Sequence, residues 1–217
     1  MNKINLHLGD SLEALKKMPD NAYDLAIVDP PYGIDVTNQS QGKGGGVARK
    51  IDYIKKDWDK SAPNKYYFEE LMRVSVNQVI WGANHFISRI PYDSSCWVIW
   101  DKDNGATDFA DCELAWTSFN TAARKLKWKW SGMLQQDMKN KETRIHPTQK
   151  PVKLYEWLLD NYAKEGDTIL DTHLGSGSIA LACHNRGFSL DAYEIDNEYY
   201  LSATNRLKQH QQQLTMF

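Results

Sequence analysis

Thr168-Ile-Leu-Asp171-Thr-His-Leu-Gly175-Ser-Gly177-Ser178 is the stretch that decides the architecture. A short apolar run closes on an acid, crosses a loop with two glycines, and opens at Ser178 into a helical pattern over 178–185. Two glycines let a backbone pass tightly under a ligand that a Cβ would block. Nineteen residues beyond Gly175, the apolar run 189–193 closes on Glu194, where a carboxylate can accept both hydroxyls of a ribose. Strand, glycine turn, helix, strand and terminal acid form the repeating unit of a parallel α/β sheet.

Working outward, the same grammar recurs. Residues 4–8 alternate as a strand and stop at Gly9-Asp10, after which Ser11 caps a short helix over 12–18. Leu25-Ala26-Ile27-Val28 is a continuous apolar run of buried parallel-strand type, closed by Asp29-Pro30-Pro31-Tyr32. A helix over 66–76 precedes the strand Val79-Ile80-Trp81, and residues 96–100 form another strand. Segments 113–119 and 126–130 are expected to form an antiparallel edge. An amphipathic helix over 151–163, with Pro151 in its first turn, and a final helix over 197–209 complete the pattern. The expected fold is α/β, a mostly parallel sheet with helices on both faces and an antiparallel edge. Ligands in such sheets sit beyond the carboxyl ends of the strands. Four ends carry chemically capable groups: Asp10, Asp29, the loop after Asp171, and Glu194.

The 217 residues suit one domain, 1–217. No apolar run reaches the length of a membrane span, and the polar start Met1-Asn2-Lys3 is unlike a signal peptide. Three widely spaced cysteines and six histidines lack disulfide or metal-ligand spacing, so a reducing cytoplasm and no metal are expected. Net charge is −2, but residues 124–153 carry nine Lys or Arg against Asp137 and Glu142. Residues 43–60 carry six against three Asp, within a polar, glycine-rich stretch from 33 to 61. A loop that long is usually functional or disordered. Two basic segments on an acidic body suit a polyanion docked on one face, solvated loops being the plainer alternative.

The glycine loop also fits the dinucleotide pattern G-x-G-x-x-A through Ala180, and a tight turn without ligand fits as well. Only one helix follows Glu194, which argues against a nicotinamide half. Asp10 suits either an adenine amino group or a helix start. Asp29-Pro30-Pro31-Tyr32 is more specific. Two prolines remove two backbone donors and stiffen φ just after a buried strand. The Asp29 carboxylate and Pro30 carbonyl then stand as paired acceptors for one -NH₂ group. Drawing on both hydrogens frees the nitrogen lone pair for in-line attack on a methyl sulfonium, with Asp29 the first acceptor of the departing proton. Tyr32 suits stacking on a base flipped out of a duplex.

With those motifs in hand, the chain resembles the permuted, D-P-P-Y beta group of S-adenosylmethionine-dependent DNA amino-methyltransferases, over nearly its whole length. The resemblance implies a circularly permuted, Rossmann-like class I methyltransferase sheet, with DNA as partner and S-adenosylmethionine as cofactor. It implies catalysis at Asp29, Pro30, Pro31 and Tyr32, with Asp29 also among the cofactor-binding residues. Gly9-Asp10 matches the cofactor-adenine motif, and His146-Pro-Thr-Gln-Lys150-Pro151 the segment approaching the methionine part. Asp171, Gly175, Ser176 and Gly177 match the glycine loop, where Thr172-His173 replaces the usual Pro-Phe, and Glu194 matches the ribose acid. Asp at the first catalytic position favours adenine N6, whereas Ser is commoner for cytosine N4. The family arrangement sets the glycine-loop strand beside the catalytic strand and brings the two termini together.

Only about fifteen residues separate Trp130 from His146, so DNA recognition falls to the short basic segment 131–146, to the 33–61 loop, or to a second subunit of a homodimer. Lys43, Arg49, Lys127, Lys129, Lys141 and Arg144 are the candidate DNA contacts. Trp97, Trp100, Trp116, Trp128 and Trp130 are most simply core or sheet-face residues, and Asn84 and Lys102 stand just past strand ends. Cytosine-N4 methylation, methylation of an RNA or protein amide, and a cofactor-dead DNA-binding protein are the rival functions.

Overall fold

The computed structural model describes residues 2–34, 61–105, 110–131 and 134–214. The loop expected at 33–61, with Lys43 and Arg49, lies almost wholly outside the described residues. In chain order the elements are β1 (Ile4–Leu8), α1 (Ser11–Leu15), β2 (Tyr23–Val28), α2 (Lys65–Val74), β3 (Ser75–Trp81), β4 (Trp97–Asp101), β5 (Cys112–Thr117) and β6 (Arg124–Lys127). The short β7 (Trp130–Ser131) and β8 (Leu134–Gln135), α3 (Val152–Tyr162), β9 (Thr168–Asp171), α4 (Ser178–Arg186), β10 (Ser189–Glu194) and α5 (Asn197–Leu214) follow. Two 3-10 turns, Ala83–His85 and Ile87–Arg89, fill the β3–β4 connection.

Eight strands form one sheet in the order β1-β10-β9-β2-β3-β5-β4-β6. The expected antiparallel edge is corrected in detail. Among the described strands of this sheet only β5 runs antiparallel to its neighbours, and it lies inside the sheet, between β3 and β4. The edge strand β6 runs parallel to β4. Local pattern marks 113–119 and 126–130 as strands, close to the observed β5 and β6, but their direction depends on which neighbour each meets, and that is a long-range matter.

The pleat sends alternate residues of β2 to opposite sides. Leu25 and Ile27 join the core under α3, α4 and α5, with Trp81, Leu158 and Ile179. Ala26 and Val28 join a second core under α1 and α2, with Phe68, Leu71 and Phe86. Double-sided burial explains why this strand reads as an unbroken apolar run. Trp100, Trp116 and Trp130 are buried, as their strand positions suggested. At the other end of the sheet α5 packs on β1 and β10, so the last helix lies against the first strand.

The fold's main consequence is a neighbour relation. Strand β2 pairs with β9 (Leu25 opposite Ile169, Ala26 opposite Leu170), so the tetrapeptide after β2 and the glycine loop after β9 emerge side by side. This places Asp29 and Gly175 together although 146 positions separate them in sequence.

Candidate active site

The glycine-loop wall is held chiefly by backbone. Gly175 and Gly177 have φ of 52° and 73°, in the left-handed region that disfavours a side chain. At Gly177 a Cβ would also come within 3.0 Å of the Ala203 side chain on α5. The Gly175 N–H donates to Glu194 Oε2 at 2.8 Å and the Asp196 N–H to Oε1 at 2.9 Å. Leu174 and Gly9 also bond to the end of β10, at Tyr193 O and Glu194 O, so three strand ends meet there. Asp10 caps α1, accepting from the Leu12 N–H at 2.8 Å, the helix-start role foreseen as one of its two alternatives.

Asp171 is buried and accepts the His173 N–H at 3.0 Å. Burial, aided by the nearby charges of Asp29 and Glu194 and opposed by that N–H, pushes its carboxyl up to about 8. The Thr172-His173 substitution is absorbed by α2. Thr172 Oγ1 lies 2.6 Å from the Tyr67 hydroxyl, and the His173 ring stands edge-on to Tyr67 at 5.5 Å. Burial lowers His173 to about 4, so it is an uncharged ring at neutral pH.

His146 of the H-P-T-Q-K-P segment is buried over Gly175, 3.8 Å from where a Cβ would stand, and packs against Tyr199 at 4.3 Å. Lys150 goes elsewhere. Its ammonium meets Asp29 Oδ2 at 2.6 Å, Glu113 Oε2 at 2.9 Å and the Tyr32 hydroxyl at 3.1 Å. Three acceptors match three ammonium protons. The structure sets Lys150 on the tetrapeptide.

The Asp29 wall is a charge network. The Tyr32 hydroxyl donates to Asp29 Oδ1 at 2.8 Å, and Lys102 Nζ meets Glu113 Oε1 at 2.6 Å. Asp29, Lys150, Glu113 and Lys102 thus alternate in sign. Burial raises the Glu113 carboxyl, but Lys150 and Lys102 together lower it further, so it falls to about 2. Asp29 is raised by burial against the pull of Lys150, and Lys150 is raised by its two carboxylates against its own burial. The Tyr32 ring lies nearly parallel to His85, with centroids 4.9 Å apart and planes at 15°. Gly82 makes room for it. A Cβ there would fall 2.0 Å from Tyr32 Cε1, and φ is 67°. Sequence inspection missed Glu113, Gly82 and His85, and held Lys102 only loosely, because each reaches the site from a strand or turn with no motif of its own.

Of the described candidate DNA contacts, Lys127 and Lys129 flank the β6 edge and pair with Asp103 at 2.9 and 3.6 Å. Lys141 is exposed, while the Arg144 guanidinium stacks 4.9 Å over Trp130. Segment 134–142 is tied back on itself by Gln135, which bonds both the N–H and C=O of Glu142 at 2.8 Å. Among the described residues no group of His, Cys, Asp and Glu could hold a metal ion, and no helix is long and apolar enough to cross a membrane.

A glycine turn and a proline-stiffened carboxylate at the ends of adjacent parallel strands, within this strand order, define a Rossmann-like class I methyltransferase. Solved structures of that class superpose on the chain. M1.HpyAVI in complex with SAM matches with a TM-score of 0.59 at 22% identity, covering 94% of this chain and 100% of that one. TTHA0409 of Thermus thermophilus, complexed with S-adenosyl-L-methionine, matches with a TM-score of 0.60 at 19% identity, covering 95% of each chain. The cytosine-N4-specific PvuII methyltransferase gives 0.59 at 13% identity, covering 94% of this chain and 86% of that one. Residues 89–205 match the N6/N4 DNA methylase family, and the chain belongs to it. The type II methyltransferase M2.DpnII of Streptococcus pneumoniae is 26% identical over 248 residues, covering 95% of this chain and 90% of that protein. M2.LlaDCHI of Lactococcus lactis subsp. cremoris is 27% identical over 247 residues, covering 95% and 89%.

Proposed function

We propose that this protein transfers the methyl group of S-adenosylmethionine to the exocyclic N6 amino group of adenine in DNA. One observation carries the proposal: β2 and β9 are hydrogen-bonded neighbours, so Asp29 and the glycine loop stand side by side at one end of the sheet, where the crevice would lie. The crevice chemistry fits the cofactor. S-adenosylmethionine brings an ammonium and a sulfonium, and Asp29, Asp171 and Glu194 offer carboxyls that burial has already raised. Glu194 would take the ribose hydroxyls, Asp10 the adenine end, and Gly175, Ser176, Gly177 and His146 the walls around the methionine part. When bound, the cofactor supplies an electrophilic methyl.

Asp29 and the Pro30 carbonyl would accept the two hydrogens of the target amine, leaving its lone pair free, and Asp29 would take the first proton released. Pro31 keeps the turn stiff. The stack with His85 supports Tyr32 as the base platform, since that ring already holds a flat π system; a flipped base would take the same place. Asp at position 29 supports adenine over cytosine. Lys127, Lys129 and Lys141 would meet phosphates in place of their acidic neighbours, with Lys43, Arg49 and Arg144 as further contacts. The segments 33–61 and 131–146 would read the site within a single domain, in a homodimer if one copy covers too little DNA. A cytoplasmic location and the permuted motif order complete the proposal. Transfer of labelled methyl to DNA, followed by nucleoside analysis, tests it: N6-methyladenine is expected, and N4-methylcytosine or no product would overturn it.

A further inference from the structure

The mechanism above uses Asp29 and Tyr32 but leaves a half-buried carboxylate unassigned. Glu113 enters from β5, the lone antiparallel strand among the described strands of the sheet, with its side chain 20% exposed. One oxygen faces Lys150 at 2.9 Å and lies 3.3 Å from the Tyr32 hydroxyl, and the other faces Lys102 at 2.6 Å. Burying such charges is costly, and a core of the same volume without them is often at least as stable. Fold stability alone therefore explains the arrangement poorly.

We propose that Glu113 is a positioning residue for methyl transfer, acting through Lys150 and Tyr32 to aim the Asp29 carboxylate and to balance the lysine charge beside the target amine. This rests on the function proposed above. During transfer the C–S bond breaks and its electron pair stays on sulfur. The nitrogen lone pair forms the new N–C bond, so positive charge passes to the amine. The amine then loses one proton to Asp29 or water. Lys150, 2.6 Å from Asp29, opposes that new charge, and Glu113 offsets Lys150. Without Glu113 the four-charge chain becomes an excess of one cation next to a forming cation. Lys150 also loses one of its three acceptors and is freer to leave Asp29.

The test compares single-turnover transfer and binding in Glu113→Gln with the wild type. Transfer should slow by 10- to 100-fold, while affinities for S-adenosylmethionine and DNA stay within about twofold. Adding Lys102→Met to that variant restores the charge balance and should regain part of the rate, which a purely structural role would not do. A Glu113→Gln rate within twofold of wild type, parallel loss of cofactor binding, or no recovery in the double variant would overturn the proposal. Should Glu113→Gln not fold, Glu113→Asp keeps the charge but draws it back from Lys150. It should slow transfer several-fold at unchanged affinities, and an unaltered rate would be equally decisive. Asp29→Ala run alongside separates the two levels. An inactive Asp29→Ala beside a normal Glu113→Gln sinks this inference alone, whereas an active Asp29→Ala sinks the underlying function.

Discussion

On the glycine-loop side of the crevice Asp171 and Glu194 are held by backbone N–H groups, whereas on the catalytic side Asp29 and Glu113 are held by lysines. No Lys or Arg among the described residues forms an ion pair with Asp171 or Glu194. Their carboxyls are raised, Asp171 to about 8; burial raises Asp29 as well, and only Glu113, between two lysines, is depressed, to about 2. The difference separates the two tasks of the site. One wall is short of positive charge and suits a cationic cofactor. The other is already neutral overall and suits an uncharged amine that becomes cationic only as it reacts.

The comparison breaks most visibly at Asp29. Asp29→Ala should reduce methyl transfer by on the order of 10³-fold or more while leaving cofactor affinity within a few-fold, as single-turnover assays and calorimetry would measure. Collapse of cofactor affinity in a folded variant would merge the two walls into one function.

The glycine-loop wall is sharpened by pH. In the free protein Asp171 holds a proton below about 8, and a cationic ligand favours its carboxylate. Binding therefore releases a proton, and affinity should rise with pH up to about 8 and then level off, by up to roughly tenfold per unit. Calorimetry in buffers of different ionisation enthalpy reads that proton directly. The stability consequence has the same origin. Asp171 binds a proton more tightly folded than unfolded, so its contribution to stability declines as pH rises from about 4 towards 8. Asp171→Asn should then raise the melting temperature of the free protein at pH 8.5 more than at pH 6.

Gly82→Ala probes the catalytic wall without touching a charge. Its Cβ would strike the Tyr32 ring and strain a left-handed φ, at about 1–3 kcal/mol for the backbone alone. Transfer should fall roughly 10-fold or more through misplaced Tyr32, at unchanged cofactor affinity. The smallest effect is expected outside the crevice. Neutralising Lys127, Lys129 and Lys141 together should weaken DNA binding by roughly 10-fold at moderate salt and flatten its salt dependence, because each phosphate contact contributes about 0.9 to the slope. An unchanged slope would move the DNA face elsewhere.

Much of this is legible along the chain. Strand ends at Asp29, Asp171 and Glu194 and the turn at Gly175 are local features, set by apolar runs, prolines and glycines within a few residues. The direction of β6 is not, because strand direction depends on which distant segments it meets. Thr172-His173 reads only as a departure from the usual Pro-Phe. In the fold Tyr67 receives both residues, and nothing near position 172 announces that.

Short-range chemistry in the sequence determined the elements, the two motifs and the kind of group each can hold. The resemblance implied that β2 lies beside β9, and tertiary structure established it; tertiary structure alone decided that β5 delivers Glu113 and that Lys150 sits on Asp29. The physical reason is distance: rotamers, turns and apolar runs act between near neighbours in the chain, but Coulomb energy and sheet pairing depend on separations in space, which bring Asp29 and Lys150 from 121 positions apart to 2.6 Å.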